Sequence, residues 1–296
     1  MTDSQETTAW IKAMPVVFVL IWSTGFIVAR YGMPHAPPFS FLLVRYLLSI
    51  LCFLPWIVLA RVKWPQSRSQ WLHLAVTGIL MHAGYLGGVW AAVKAGMGSG
   101  LSSLIVGIQP VLTAIWLTSV GGQHVSRRQW VGLLLGFAGL VLVVSHKFES
   151  GGPGDTATWL NLSFAVIALF SITAGTLYQK RYCPRFDLRT GSVLQFLPSL
   201  AITALIASRT ETMVIAWTGD FVFALGWLVL VLSVGAISLL NLLIRSGSAV
   251  NVASLFYLTP PTTALIAWAM FGETLSALAI AGMSLAVSGV WLARKG

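Results

Sequence analysis

The sequence predicts an all-α integral membrane protein, with ten transmembrane helices arranged as two inverted five-helix repeats. Three observations support this prediction: an apolar composition, a regular succession of apolar stretches and an internal duplication. Hydrophobic residues make up 57% of the 296 residues and charged residues only 9%, whereas a water-facing surface needs roughly a quarter charged residues. A chain of this composition is typical of the lipid bilayer.

Ten apolar stretches are each long enough to cross a hydrocarbon layer roughly 30 Å thick as a helix. Short breaks with proline or glycine stop signals separate them. The first stretch is too long for a signal-peptide core, so we expect it to remain as a spanning helix. After a polar tail at residues 1–9, the predicted spans are 11–31, 38–60, 70–93, 97–119, 128–146, 158–180, 189–208, 220–244, 248–270 and 275–293.

The second half of the chain repeats the first at a shift of 150 residues. Proline and glycine matches carry most weight, because each marks a kink or a close approach of helices. These matches pair Pro110, Gly122, Gly132 and Gly139 with Pro260, Gly272, Gly282 and Gly289. We therefore expect a first repeat at residues 1–146, a glycine-rich linker at 147–157 and a second repeat at 158–296.

Lysine and arginine are distributed unequally between the two sides of the predicted membrane. Thirteen of the 18 lie in breaks on the side of the N-terminus, four lie on the opposite side, and Arg45 lies within a span. Positive charge accumulates in the cytoplasm, so both termini are expected there. Five spans per repeat make the second repeat enter from the opposite side. Inverted repeats of this kind are typical of secondary transporters with a site near mid-membrane.

Several other functional classes are disfavoured. The net charge of +10 lies in the short breaks, where it sets membrane orientation, so no nucleic-acid partner is expected. Cys52 and Cys183 suggest neither a disulfide framework nor a metal site, and the five histidines are scattered. We expect no catalytic residue, metal, cofactor or obligatory protein partner, and an integral-membrane enzyme is a weaker alternative. A channel is disfavoured because no ring of charge or filter-like motif repeats.

Short motifs mark several of the spans. They are Trp22-Ser23-Thr24-Gly25-Phe26, Arg45 after Pro37-Pro38, Pro110 and Pro260, and Phe271-Gly272-Glu273-Thr274-Leu275. With the two five-helix repeats, they resemble the EamA-type members of the drug/metabolite transporter superfamily, and within it the YddG-type exporters of aromatic and other neutral amino acids. The resemblance implies a multi-pass protein of the bacterial inner membrane. One departure is Gly122-Gln123, where the second repeat has Gly272-Glu273.

Polar groups inside a bilayer are costly and therefore candidates for function, although many simply bond a neighbouring helix. Arg45 is the deepest charge. It is predicted either to bind a substrate carboxylate or to snorkel towards helix-end carbonyls near the interface. His82 and Tyr85 lie three residues apart on one helix face and are predicted to line a cavity. The alternative for His82 is a neutral imidazole bonded to a backbone carbonyl.

The fourth and ninth spans carry the next candidates. Gln109 and Thr113 flank Pro110, and Tyr257 precedes Pro260. Prolines at matched positions predict a mid-membrane site with Pro110 and Pro260 as hinges, although single proline kinks are common in spanning helices. The remaining substrate-binding candidates are Trp22, Ser23, Tyr178 and Asn241. A tryptophan at mid-span can stack on a flat or apolar substrate, or can pack between helices.

These features predict a secondary transporter of small neutral metabolites, and the resemblance implies that it exports them, above all aromatic and other neutral amino acids. Transport would proceed by alternating access around a central cavity between the repeats. No carboxylate is placed at mid-membrane as a coupling group, so a facilitative carrier is expected. A multidrug or other metabolite carrier with proton coupling through His82 is the alternative. Cationic drugs favour buried carboxylates, and nucleotide sugars favour several mid-span Lys or Arg, so a zwitterion fits this chain best.

Overall fold

A computed structural model describes residues 2–97, 99–149, 158–271 and 275–295. Ten helices in this part of the chain are long and apolar enough to cross a membrane. They are α1 (Thr2–Gly32, extended by the 3₁₀ turn Met33–His35), α2 (Pro38–Leu59), α3 (Arg68–Lys94), α4 (Ser99–Val106 and Gln109–Ser119), α5 (Arg127–Glu149), α6 (Trp159–Tyr182), α7 (Leu188–Thr210), α8 (Gly219–Ser246), α9 (Ala249–Met270) and α10 (Ala277–Lys295).

The prediction of ten helical spans is confirmed, and nearly all span boundaries agree within four residues. The exception is the N-terminus, where residues 2–9 belong to helix α1 rather than to a separate polar tail. Residues 2–9 contain no glycine or proline, so nothing in them interrupts a helix that continues into the first span. Residues 147–149 of the expected linker belong to helix α5 instead, which continues to Glu149. Residues 150–157 and the Gly272-Glu273 turn lie outside the described residues.

Helices α4 and α9 are interrupted at equivalent positions. Helix α4 breaks between Val106 and Gln109, and α9 tightens into a 3₁₀ turn over Leu255–Leu258. The shift of 150 residues carries the first interruption into the second. Pro110 and Pro260 follow directly, as expected for residues that remove a helical hydrogen bond. The predicted breaks are therefore present, whereas the role of the two prolines as hinges stays a prediction.

Helices α5 and α10 pack in antiparallel contact through glycines that are equivalent in the two repeats. A methyl group on Gly132 would lie 2.6 Å from the carbonyl oxygen of Gly289, and one on Gly139 would lie 2.6 Å from that of Gly282. Gly132 corresponds to Gly282, and Gly139 corresponds to Gly289. Exchanging the two repeats therefore converts each contact into the other. This reciprocal pattern is that of a two-fold axis at right angles to the helices. We call this contact the glycine seam.

Helices α2 and α7 form a second contact between equivalent elements. The ring of Tyr46 stacks on that of Phe196 with centroids 5.7 Å apart, and the shift of 150 residues relates these two positions. Both side chains are fully buried. The α2–α7 contact, like the glycine seam, therefore joins equivalent positions of the two repeats.

The chain termini lie at one face of the bundle, and Glu211 fastens the opposite face. Its side chain is fully buried at the end of α7. Glu211 Oε1 accepts from the backbone N–H of Phe39 at 2.9 Å, and Oε2 accepts from the N–H and hydroxyl of Ser40, each at 2.7 Å. Lys94 Nζ lies 3.4 Å from Oε1. A carboxylate at a helix N-terminus is favoured by the helix dipole, so Glu211 ties α7 to α2 and α3.

We expect Glu211→Ala to destabilise the folded protein by about 2 kcal/mol, because the substitution leaves the first N–H groups of α2 and the ammonium group of Lys94 without their acceptor. The melting temperature of the purified protein in detergent would measure this loss. Asp220→Asn is the matched control, since Asp220 is an exposed carboxylate at the same face and its replacement should leave the melting temperature unchanged. Equal melting temperatures for Glu211→Ala and wild type would contradict the fastening role.

Candidate functional site

A small cavity lies at the centre of the bundle, near the midpoint of the spanning helices. Helices α1, α3, α6 and α8 enclose it, and its volume is ≈ 10 Å³, about the least that one water molecule needs. The structure is therefore closed at this point. The lining residues are Trp22, Met81, His82, Tyr85, Leu86, Ile172, Ile237 and Leu240.

Two π-helical segments shape the surroundings of the cavity. They span Ile79–Leu86 in α3 and Leu228–Ala236 in α8, and the shift of 150 residues carries the first onto residues 229–236. A π-helical turn contains an extra residue, which changes the direction of the side chains, and such turns are frequent at functional sites. His82 and Tyr85 belong to the first segment and Ser233 to the second. Both repeats therefore supply an irregular helix to the same region.

Arg45 lies beside the cavity with a single described side-chain hydrogen bond. Its side chain is only 4% exposed, and Nε donates to Ser233 Oγ at 3.0 Å. His82 and Tyr85 lie within electrostatic range of its charge. None of the carboxylates whose side chains are described forms an ion pair with it. Arg45 thus points inwards instead of snorkelling, and it holds a positive charge inside the bundle without a described counter-charge.

The imidazole of His82 packs against one aromatic ring of α2 and one of α7. Its ring centroid lies 4.6 Å from that of Phe196 and 6.0 Å from that of Tyr46, whose hydroxyl donates to the backbone carbonyl of His82 at 3.0 Å. Nε2 of His82 has no hydrogen-bond partner among the described residues. The side chain of Gln195 lies next to the imidazole. These contacts restrict the ring of His82, which is one of the residues that line the cavity.

Trp22 reaches the cavity from an aromatic cluster between α1 and α9. Its ring centroid lies 5.2 Å from that of Phe18 and 5.6 Å from that of Phe256. The next residue, Ser23, is not among the lining residues, and its hydroxyl donates to the backbone carbonyl of Val19 in its own helix at 2.7 Å. Its backbone carbonyl accepts from the hydroxyl of Thr263 in α9 at 3.2 Å. Trp22 therefore contributes an aromatic surface to the cavity, whereas Ser23 contributes to the contact between α1 and α9.

Three further candidates lie outside the cavity lining, namely Gln109, Thr113 and Asn241. The two amide side chains among them form contacts between helices. Gln109 Nε2 donates to Thr176 Oγ1 at 3.5 Å, and Gln179 Nε2 donates to Asn241 Oδ1 at 2.9 Å. The hydroxyl of Thr113 donates within its own helix to the carbonyl of Gln109 at 2.9 Å. These amides join α6 to α4 and α8 in the closed conformation. Their proposed contact with substrate stays a prediction.

The two remaining tyrosine candidates are also remote from the cavity lining. The Tyr178 hydroxyl lies 2.7 Å from His73 Nδ1, near the ends of α6 and α3 at the termini face. Tyr257 is fully buried, with its ring against Gly136 of α5. Its hydroxyl has no hydrogen-bond partner among the described residues. The structure therefore brings Trp22, His82 and Tyr85 together, with Arg45 beside them.

A wider depression opens at the termini face and is lined by Pro184, Arg185, Phe186 and Arg245. It is shallow and open to solvent, and none of the buried unpartnered polar groups described above lines it. The charges of Arg185 and Arg245 are accounted for by the excess of basic residues that sets membrane orientation. The enclosed central cavity, with its aromatic and polar lining, is therefore the better candidate site.

Sequence reasoning did not identify Ser233, Phe196 or Gln195. Ser233 and Phe196 lie in apolar runs where the sequence does not show which face points inwards. Gln195 had a usable signal, because the shift of 150 residues carries Arg45 onto it. A charged residue in one repeat thus pointed to a polar residue at the equivalent position of the other.

Comparisons with known proteins agree with this architecture. The chain is 27% identical over 279 residues to the "uncharacterized inner membrane transporter YedA" of Escherichia coli K12, covering 94% of this chain and 88% of that protein. It is 24% identical over 288 residues to a "probable amino-acid metabolite efflux pump" of Salmonella typhimurium, covering 94% and 93% of the two chains. A protein crystal structure with 18% identity matches with a TM-score of 0.79 over 97% of this chain and 98% of that one, which supports the fold.

The profile of one family matches the chain twice, once in each predicted repeat. The matched residues are 9–145 and 159–294, and the description is that of an EamA-like transporter family. The double match confirms the internal duplication, and it covers nearly all of the chain. The finer resemblance to YddG-type exporters stays a prediction. The protein belongs to the EamA-like transporter family.

Proposed function

We propose that this protein is a secondary transporter that exports small neutral metabolites, above all aromatic and other neutral amino acids, across the bacterial inner membrane. The name of the Escherichia coli relative supports a location in the inner membrane. The name of the Salmonella relative supports amino-acid metabolites as the substrate class. The two repeats correspond to residues 1–146 and 158–296, and both termini lie in the cytoplasm. Its proposed partners are a small-molecule substrate and the lipid bilayer.

Arg45 is the observation that carries the substrate assignment. A guanidinium group buried in the bilayer without a counter-ion is costly to maintain. It offers a planar set of donors that matches a carboxylate. A substrate carboxylate that binds Arg45 would supply the missing negative charge. The buried cation also disfavours cationic drugs as substrates, because like charges would meet in a site of low polarity.

The cavity lining fits the remainder of such a substrate. Trp22 and the apolar residues of α6 and α8 suit an apolar or aromatic side chain, and His82 and Tyr85 supply polar groups beside it. Ser23, Gln109, Thr113, Tyr178, Asn241 and Tyr257 are proposed to contact substrate as helices separate. This assignment rests on the burial of five of these side chains inside the bundle and on the position of Tyr178 near the ends of α6 and α3.

Alternating access is the proposed mechanism. The reciprocal glycine seam supports inverted repeats, and the matched interruptions of α4 and α9 supply places where each repeat can bend, with Pro110 and Pro260 as hinges. Rocking of one repeat against the other would open the central cavity first to one side and then to the other. The closed cavity seen here is an expected intermediate of that cycle.

Counterflow in proteoliposomes tests the proposed function. Vesicles loaded with unlabelled L-phenylalanine should take up labelled L-phenylalanine in a saturable manner, and L-leucine should compete. Protein-free vesicles are the control, and ethidium represents the multidrug alternative. Exchange of ethidium without exchange of any neutral amino acid would overturn the assignment.

Transport is expected to be facilitative. An imposed proton gradient, with the membrane potential clamped, should not drive uphill accumulation of labelled L-phenylalanine. If it does drive accumulation, the proton-coupled alternative is tested with His82→Gln, which removes the titratable group. Loss of this accumulation in His82→Gln, measured at L-phenylalanine concentrations that saturate counterflow by the variant, would establish coupling through His82 and contradict the facilitative prediction.

A further inference from the structure

Gln195 occupies the position in the second repeat that Arg45 occupies in the first. The shift of 150 residues carries Arg45 to Gln195 and Ser49 to Ser199. The local structure follows the same relation: Ser49 Oγ donates to the carbonyl of Arg45 at 2.7 Å, and Ser199 Oγ donates to that of Gln195 at 2.9 Å. Both Arg45 and Gln195 are buried. They are therefore pseudo-symmetric partners in structure as well as in sequence.

Each of the two residues faces the π-helical segment of the other repeat. Arg45 contacts Ser233 in α8, and Gln195 lies beside His82 in α3. The backbones of α3 and α7 are very close here, since a methyl group on Gly78 would lie 2.5 Å from Cα of Gln195. His82 lies one turn further along α3. The site thus has two halves related by the axis, one cationic and one neutral.

The neutral half contains three buried polar atoms without a hydrogen-bond partner among the described residues. They are Nε2 of His82 and both Nε2 and Oε1 of Gln195. Gln195 is fully buried and His82 is 2% exposed. Buried polar groups are nearly always paired, and unpaired ones call for a ligand or water. Burying three such atoms without partners costs desolvation free energy. A ligand that binds them in another conformation of the protein would offset this cost.

We infer that Gln195 and His82 form an ammonium subsite, which receives the α-ammonium group of a zwitterionic substrate whose carboxylate binds Arg45. This inference rests on the proposed function and deepens it. An amide oxygen and a neutral imidazole nitrogen both accept hydrogen bonds from an ammonium group. His82 adjoins both halves, because Arg45 lies within electrostatic range of it and Gln195 lies next to it. The carboxylate and ammonium groups of an α-amino acid are attached to one carbon atom, so the groups that bind them must lie close together, and their common neighbour His82 is consistent with this requirement.

Two fragments of L-phenylalanine separate the contributions of the two halves. The fragment 3-phenylpropanoate lacks the ammonium group, and phenethylamine lacks the carboxylate. In Gln195→Leu we expect the half-inhibitory concentration of L-phenylalanine in counterflow to rise about 10- to 100-fold, as for loss of a hydrogen bond to a charged group. The value for 3-phenylpropanoate should change less than about twofold, because this fragment makes no contact with the lost group.

Gln195→Met provides a second variant of similar volume in case the leucine substitution disturbs packing. Ser199→Ala is the matched control, because it lies one turn away and its hydroxyl bonds only its own helix. Equal weakening of L-phenylalanine and 3-phenylpropanoate, or no weakening of either, would overturn the ammonium subsite while leaving the proposed function in place. Failure of the wild-type protein to exchange any neutral amino acid would overturn both.

Discussion

Arg45→Gln is expected to lower amino-acid exchange by about 100-fold or more, because truncation of one member of a buried charged pair removes the contact and leaves the other charge unpaired. Initial rates of L-phenylalanine counterflow measure the loss. The same substitution should leave the melting temperature at or above that of the wild type. The reason is that an isolated buried guanidinium destabilises the empty protein, and a neutral amide removes that cost.

Two variants sharpen this prediction. Arg45→Lys keeps the charge but lacks the planar pair of donors, so we expect partial activity. Ser49→Ala is the control on the same helix, since the Ser49 hydroxyl donates only to the carbonyl of Arg45. A fall in melting temperature for Arg45→Gln, with unchanged exchange of L-phenylalanine, would show that Arg45 has a structural role instead.

Gly139→Val is expected to destabilise the protein by about 3 kcal/mol or more, because the glycine seam has no space for a side chain. A methyl group at Gly139 would meet backbone atoms of α10, with the carbonyl oxygen of Gly282 at 2.6 Å. Backbone cannot yield as a flexible side chain can, so α5 and α10 must separate. Size-exclusion profile and melting temperature in detergent measure the effect.

Gly226→Ala is the matched control for the seam. Gly226 lies in helix α8, and a methyl group added there would meet nothing within 4 Å. Alanine has the higher helix propensity, so this variant should be as stable as the wild type or slightly more so. A Gly139→Val protein that elutes as a single peak and melts like the wild type would contradict the packing of α5 against α10.

Much of the fold was predictable because the membrane imposes a simple rule on sequence. Each span must be apolar over its whole length, so the ten helices followed from composition and stop signals. The matched glycines also indicated a close helix approach, and the contact between Gly132 and Gly289 confirms it. The interruption of α4 and α9 followed from two matched prolines, whose effect on a helix is local.

The site was less predictable, for three physical reasons. Burial inside a bilayer does not distinguish a cavity from a helix contact, so Ser23 and Asn241 looked as promising as His82. The π-helical segments carry no proline or glycine pattern that separates them from α-helix. The fastening role of Glu211 depends on a contact between residues 171 positions apart, which no local pattern shows.

The small volume of the central cavity has a consequence for the cell. A hydrated ion cannot fit into a cavity that has room for about one water molecule, so this cavity gives ions no path through the site while it is closed. Under the proposed mechanism, one substrate molecule crosses in each conformational cycle. The rate is set by helix movements on the microsecond to millisecond scale or slower. A transporter that closes in this way can move its substrate without dissipating the ion gradients across the membrane.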